Sequence, residues 1–115
     1  AADVLVIPSI ATRSFLEPWG LVANEAMNQR LPIIATDAVG AAAGGLVQDG
    51  RNGLVVTAGD PDALAGALRT LHADPALRAR LGAQGAQDVA AYTHAAWAEA
   101  FAAALRSATS GAVPC

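Results

Sequence analysis

Three short apolar runs, the first two of them joined by a helical pattern, most constrain the fold of this 115-residue chain. The runs occupy residues 4–8, 32–35 and 53–56, and each is continuous rather than alternating. A continuous apolar run suits a strand that is covered on both faces. Residues 20–29 place Val, Ala and Met on one side of a helical wheel and Asn, Glu and Gln on the other. Because two strands that are joined by a helix need a crossover connection, these strands are predicted to be parallel.

The second half of the chain is predicted to be helical, with three marked starts. Asp60-Pro61 and Asp74-Pro75 each place an N-cap carboxylate before a proline at the first helical position, and Thr93 is a candidate cap for a third helix. Apolar residues at helical spacing give each helix a face to bury: Leu64, Leu68 and Leu71; Leu77, Leu81 and Val89; and Trp97, Phe101 and Leu105.

The remaining segments complete a single α/β unit. One short helix is expected around residues 41–47, and the polar and glycine residues of 49–53 predict a structural turn. We therefore predict one domain over residues 1–106, with about three parallel strands, flanking helices and a helical C-terminal half. Residues 107–115, which contain Ser, Thr, Gly and Pro, are predicted to form a flexible tail.

Composition favours a folded domain and excludes several function classes. Thirty of the residues are alanine, so the core is expected to be compact and built from small side chains. The longest uncharged apolar run, residues 38–47, is too short for a membrane span. Seven arginines without lysine, scattered in a chain of net charge −3, do not form a basic face for nucleic acid. A single cysteine, Cys115, allows no internal disulfide.

The ends and the overall composition also carry expectations about context. No signal peptide is visible, which favours a cytoplasmic location. The chain begins without methionine, directly in a predicted strand, so we expect it to be a segment of a longer polypeptide. Arginine as the only basic residue, together with abundant alanine, favours a bacterial source.

Residue types suited to chemistry concentrate at the start of the first predicted helix. Glu17 precedes this helix and Glu25 lies about one turn inside it. The first-turn amides near Gly20, Leu21 and Val22 lack intrahelical acceptors and carry the positive end of the helix dipole, so they form a candidate anion site. Glu17 can accept hydrogen bonds from sugar hydroxyls, and Glu25 from ribose hydroxyls. The combination predicts binding of a nucleotide-diphosphosugar.

From spacing alone, plainer interpretations stay open. Glu25 lies on the polar arc of its helix and could be a solvated residue. Glu17 could act only as a favourable charge near a helix N-terminus, worth about 0.3–1 kcal/mol. Trp19 belongs to a residue type that more often packs than binds ligand. His72 and His94 are isolated on predicted helices, and a structural or solvated role is expected for both, so no metal site is predicted.

Several motifs, in order, resemble the group 1 (family 4) retaining glycosyltransferases. They are E-P-W-G-L-V-x-N-E-A-M at 17–27, L-P-I-I-A-T-D at 31–37, D-G-x-N-G-L-V-V at 49–56 and G-D-P at 59–61. The resemblance continues through the helix that contains residues 77–82 to Phe101. It implies a Rossmann-like partial domain, namely the later half of the nucleotide-sugar-binding domain of a GT-B enzyme. Such enzymes have two Rossmann-like domains with the active site in the cleft between them.

The resemblance also implies roles for individual residues. Glu17 and Glu25 would be the two glutamates of the E-x7-E motif, with Glu17 as the catalytic contact to the donor sugar hydroxyls and Glu25 as the contact to ribose. The backbone of residues 19–22 would bind the sugar and the diphosphate. The implied reaction is retaining transfer by front-face attack, in which the departing diphosphate accepts the acceptor's proton. The donor is a substrate, and neither a metal nor another cofactor is expected.

The chain also departs from the family pattern. Residues 10–16 form a longer connection than usual before the first motif glutamate, so Arg13 has no clear counterpart and is expected to be an exposed loop residue. The family's basic pair for the diphosphate, its base-reading loop and its acceptor domain would all lie upstream. The isolated chain is therefore expected to be inactive, and the longer parent protein to be cytoplasmic or peripheral to a membrane.

The same resemblance implies binding partners, and two alternative functions remain open beside it. The expected partners are a nucleotide-sugar donor and an acceptor that the sequence does not identify, whether glycan, lipid or small molecule. The last helix of the family packs on the other domain, so the stripe of Trp97, Phe101 and Leu105 should be partly uncovered here and favour self-association. Two alternatives stay open: a non-catalytic α/β module that binds a phosphorylated ligand or a protein partner, and a nucleotide-sugar epimerase of similar fold.

Overall fold

A computed structural model of the chain describes residues 2–110. Its elements in chain order are β1 (Leu5–Ile7), α1 (Val22–Asn28), β2 (Ile33–Thr36), α2 (Gly40–Ala43), β3 (Gly53–Val56), α3 (Pro61–Ala73), α4 (Pro75–Val89) and α5 (His94–Ser110). The strands form a parallel sheet in the order β1-β2-β3. The α/β class and the three predicted parallel strands are confirmed.

The core lies on both faces of this small sheet. Every residue of the central strand β2 is buried. Ile33 belongs to the hydrophobic cluster that contains Met27 of α1, whereas Ile34 belongs to the cluster on the other face with Leu71 of α3 and Leu81 of α4. Successive side chains of a strand point to opposite faces, so one short strand supplies both clusters. This double coverage explains why the apolar runs are continuous rather than alternating.

The predicted helix starts are confirmed by their capping hydrogen bonds. The Asp60 side chain accepts from the Ala63 amide (2.9 Å), and the Asp74 side chain accepts from the Leu77 amide (2.9 Å). Each of these caps is followed by a proline at the first helical position. The Thr93 hydroxyl accepts from the amide three residues later, at 3.1 Å. These local contacts satisfy donors that a helix N-terminus leaves unpaired.

Two helix boundaries differ from the prediction. Helix α1 begins at Val22, because Gly20 has a φ of +80° and lies outside the helix. Val22 is 45% exposed rather than buried, since α1 turns Ala23 and its neighbours at 26 and 27 toward the core. Helix α2 spans Gly40–Ala43 rather than residues 41–47.

Helix α5 also extends further than predicted. It continues through Ser110, beyond residue 107, at which the predicted tail begins. Alanines favour helix continuation, and the Thr109 hydroxyl bonds back to the carbonyl oxygens of Leu105 (3.1 Å) and Arg106 (3.0 Å). The rest of the predicted tail, residues 111–115 with Cys115, lies outside the described residues.

The apolar face of α5 is uncovered, as predicted. Trp97, Phe101 and Leu105 are 67%, 52% and 52% exposed, and the rings of Trp97 and Phe101 stack with centroids 5.1 Å apart. The corresponding stripes of α3 and α4 bury Leu71 and Leu81. Among the described residues, no helix combines the length and the hydropathy needed to cross a bilayer.

Candidate functional site

The candidate site lies where the loop after β1 leads into α1. In parallel α/β sheets, ligands bind in crevices outside the carboxyl ends of the strands. The ends of β1 and β2 are tied together here, because the Thr36 hydroxyl donates to the carbonyl oxygen of Ser9 (2.5 Å). Within the loop, the Thr12 hydroxyl caps the Phe15 amide at 3.0 Å, and Arg13 lies exposed, as expected. The loop is therefore held by local hydrogen bonds and by the neighbouring strand.

The backbone at Gly20 adopts a conformation that favours glycine. Its φ of +80° lies in the left-handed region, and a Cβ at this position would lie 3.2 Å from the Val39 Cγ1. Helix α1 starts directly afterwards, with Leu21 as an N-cap that makes no side-chain capping bond. The Ala23 amide donates to the Gly20 carbonyl oxygen at 2.9 Å, whereas no side chain caps the amides of Leu21 and Val22, which leaves these two suited to an anionic ligand.

The two candidate glutamates occupy different environments. Glu17 is partly buried, and its Cγ lies 3.8 Å from the position that a Cβ on Gly20 would take. Glu25 is exposed on α1. The structure therefore places the Glu17 side chain beside Gly20, and Glu25 about one helical turn from the start of α1. A solvated face for Glu25 and a ligand contact are both compatible with this placement.

Trp19 links the loop to its surroundings. Its indole Nε1 donates to the Asn24 side-chain oxygen at 2.8 Å. Its ring lies 5.9 Å from the ring of Tyr92, at an interplanar angle of 37°. Trp19 also packs against the core cluster below α1. The packing role expected for this residue type is confirmed, and Trp19 additionally forms part of a cleft wall.

An open cleft of about 1080 Å³ runs between the start of α1 and the turn from α4 to α5. Its lining residues are Trp19, Leu21, Asn24, Glu25, Ala91, Tyr92, Thr93, His94, Ala96 and Trp97. Three of the predicted site residues, at positions 19, 21 and 25, are thus brought together. The other three, at positions 17, 20 and 22, do not line this cleft.

None of the six cleft residues from the α4–α5 turn and the start of α5 belongs to the site predicted from the sequence. Trp97 is predicted only as part of an apolar helical stripe, and His94 only as an isolated histidine. The aromatic character of Tyr92 is the one signal that could have drawn attention to this turn. In the described part of the chain, no group of three or more His, Cys, Asp or Glu side chains is placed to hold a metal ion.

An ion pair outside the cleft fixes the turn before β3. Arg51 and Asp88 form a salt bridge of 2.7 Å, and Asp88 also accepts hydrogen bonds from the side chains of Asn52 (2.8 Å) and Gln84 (2.9 Å). Chiefly because of the Arg51 hydrogen bond, the pKa of Asp88 falls from 3.8 to about 2. The 49–53 segment thus forms a turn that is bound to α4, in line with the predicted structural role.

Comparisons with known proteins place this geometry in context. Residues 1–88 match the family described as Glycosyl transferases group 1. The D-inositol 3-phosphate glycosyltransferase of Streptomyces avermitilis is 44% identical over 90 residues, which cover 76% of this chain and 17% of that protein. The protein of the same name from Xylanimonas cellulosilytica is 44% identical over 108 residues, which cover 91% of this chain and 23% of that protein. The chain therefore spans less than a quarter of the length of these two relatives.

Solved structures share the fold. Sucrose-phosphate synthase from Thermosynechococcus elongatus aligns with a TM-score of 0.77 at 35% identity, over 96% of this chain and 26% of that chain. HepE of Anabaena, solved in complex with UDP, aligns with a TM-score of 0.66 at 31% identity, over 76% of this chain and 22% of that chain. HepE has also been solved with UDP and glucose.

Proposed function

We propose a role in donor binding for this chain, which belongs to the group 1 glycosyl transferases. In this proposal the chain is the later part of the nucleotide-sugar-binding domain of a GT-B enzyme. The whole enzyme transfers a sugar from a nucleotide-diphosphosugar to an acceptor, with retention of configuration. The UDP and glucose complexes of HepE support a donor of this chemical class.

One observation carries the proposal. The left-handed Gly20 opens directly onto an α1 N-terminus that no side chain caps, and a glutamate lies on either side of it in sequence. A diphosphate can accept hydrogen bonds from the amides of Leu21 and Val22 at the start of α1. Glu17, packed beside Gly20, then accepts from the hydroxyls of the donor sugar, and Glu25 accepts from the ribose.

The proposed reaction needs few groups from this segment. The acceptor hydroxyl oxygen forms a bond to the anomeric carbon on the face from which the diphosphate leaves, and the bond from that carbon to the phosphate oxygen breaks. The hydroxyl proton passes to the departing phosphate oxygen. The first-turn amides of α1 stabilise charge that develops on the leaving group. Glu17 orients the sugar ring, and no metal is assigned a step.

The experiment that tests the proposal compares matched glutamate variants. Binding of UDP-glucose to the chain is measured by isothermal titration calorimetry for wild type, Glu17→Gln and Glu25→Gln. Each variant removes charged acceptors, so each is expected to weaken binding about tenfold. Glu99→Gln makes the same chemical change on the exposed surface of α5 and should bind like wild type. Equal affinities for all four proteins would refute the assigned roles.

A further inference from the structure

Helix α2 docks against the loop that carries Glu17 and Trp19. The Gly40 amide donates to the Glu17 carbonyl oxygen at 3.1 Å, and the Ala41 amide donates to the Trp19 carbonyl oxygen at 2.8 Å. Both amides belong to the first turn of α2, where no intrahelical acceptor is available to them. The start of α2 therefore holds the backbone of the loop in place at two points.

The closeness of this contact depends on glycine at position 40. A Cβ on Gly40 would overlap the carbonyl oxygen of Pro18 and would lie 2.8 Å from the Cα of Trp19. These are backbone atoms, so no rotation of a side chain could relieve the overlap. Any larger residue at position 40 must push α2 and the 17–19 backbone apart.

A second glycine on α2's C-terminal side fixes the indole ring. A Cβ on Gly44 would lie 2.8 Å from the Cζ3 of Trp19. The same ring is held by its hydrogen bond to Asn24 and by its contact with Tyr92. Because a Cβ at position 44 would overlap the ring edge, a side chain there would displace the ring and strain these two contacts. The displacement would pass through the backbone of residue 19 toward Glu17, two residues away.

We propose that Gly40 and Gly44 are positioning residues for recognition of the donor sugar. By holding the backbone and the ring of the loop, they set where the Glu17 carboxylate lies relative to the first-turn amides of α1. The inference rests on the proposed function, since it is Glu17 that contacts the sugar there. Neither glycine touches the ligand itself.

The test uses Gly44→Ala, because the overlap at position 44 involves a ring edge that can move, whereas Gly40→Ala strains backbone and is expected to fold poorly. Dissociation constants of the chain for UDP and for UDP-glucose are measured by NMR titration. Wild type should bind UDP-glucose more tightly than UDP. Gly44→Ala should weaken UDP-glucose binding about fivefold or more and change UDP binding less than about twofold.

A control variant and a double-mutant cycle distinguish a positioning effect from a nonspecific loss of stability or affinity. Gly66→Ala, in the interior of α3 with no atom within 4 Å of the new Cβ, should leave both affinities unchanged. In a Trp19→Phe background, which carries a smaller ring, Gly44→Ala should cost little further affinity for UDP-glucose. In the free protein, Gly44→Ala should also shift the indole Nε1–H resonance of Trp19.

The outcomes distinguish this inference from the function on which it rests. Wild type that binds neither UDP nor UDP-glucose refutes the proposed function, and the inference falls with it. Wild type that binds both, with Gly44→Ala losing UDP and UDP-glucose affinity in equal proportion, leaves the function standing and overturns the positioning role. An unshifted Trp19 indole resonance in folded Gly44→Ala overturns it as well.

Discussion

Arg51 binds the carboxylate of Asp88 through two hydrogen bonds, from Nε to Oδ2 (3.0 Å) and from Nη2 to Oδ1 (2.7 Å). The Arg51 side chain remains 51% exposed, whereas that of Asp88 is only 16% exposed. The pair joins the turn before β3 to the last turns of α4 across 37 positions of sequence. A two-point contact of this kind fixes geometry as well as adding free energy.

The lowered pKa of Asp88 predicts a loss of stability in acid. Above its unfolded value near 3.8, the carboxylate is charged in both states and its full stabilisation is present. As the pH falls from about 4 toward 2, the unfolded chain takes up the proton first, so the folded state loses that stabilisation. We expect this contribution to be about 1 kcal/mol, since Arg51 stays half exposed to water.

Urea denaturation between pH 2 and pH 5 measures this contribution. The free energy of unfolding of wild type should fall more steeply in this range than that of Asp88→Asn. Asn28→Ala, which removes no ionisable group from an exposed position, serves as the control and should keep the wild-type slope. Parallel curves for wild type and Asp88→Asn would contradict the assigned pKa.

Removal of the Asn52 side-chain amide should lower the free energy of unfolding more than removal of the Arg51–Asp88 ion pair does. Asn52 is fully buried, and its Nδ2 donates to the Leu46 carbonyl oxygen and to Asp88, while its Oδ1 accepts from the Gln48 amide, all at 2.8 Å. Asn52→Ala removes all three hydrogen bonds, of which the one to Leu46 is buried, so we expect the free energy of unfolding to fall by about 2–3 kcal/mol in thermal or urea unfolding. Asn28→Ala, at an exposed position, should cost less than about 1 kcal/mol.

Helix α4 packs so closely on the chain before β2 that a side chain at position 82 should destabilise the fold. A Cβ on Gly82 would overlap the Arg30 carbonyl oxygen, which is a backbone atom. Gly82→Ala should therefore lower the free energy of unfolding by about 1–3 kcal/mol, as overpacking does. Gly66→Ala, where the new methyl meets open space in a helix, should be neutral or stabilising by about 0.5–1 kcal/mol. Two variants of equal stability would contradict this packing.

The exposed face of α5 predicts self-association. Trp97 and Phe101 present stacked, largely exposed rings, and contiguous exposed apolar surface favours association. Sedimentation velocity over increasing concentration should show a rising mean mass for wild type, and Trp97→Ala with Phe101→Ala should reduce it. Leu16→Ala, at an exposed loop position, should behave like wild type. A monomeric wild type at all concentrations would show that this face does not pair copies of the chain.

The sequence predicts the parts of the fold that depend on local chemistry. The observed strand β3 is the predicted run itself, and β1 lies inside the predicted residues 4–8, because burial on both faces of a sheet requires a continuous apolar run. The three helix starts follow from Asp60, Asp74 and Thr93, whose side chains bond amides three residues later. Such signals lie within a few residues of the structure that they produce.

The unpredicted features are contacts between distant parts of the chain. Neither the approach of Gly40 to Pro18 nor the pairing of Arg51 with Asp88 leaves a periodic pattern in the sequence. The cleft between α1 and the α4–α5 turn likewise depends on how those helices pack. The exposure of Val22 also depends on helix packing. The helical wheel places Val22 on the apolar side, but α1 is oriented so that this side chain faces solvent.

The most direct test of the central claim is a map of amide shifts in ¹H–¹⁵N NMR spectra as UDP-glucose is added to the chain. Donor binding at the start of α1 predicts saturating shifts at Gly20, Leu21, Val22 and Glu25, with the amide of Glu17 moving only when the sugar is present in addition to UDP. Spectra that do not change, or saturating shifts confined to residues outside 17–25, would contradict the proposed site.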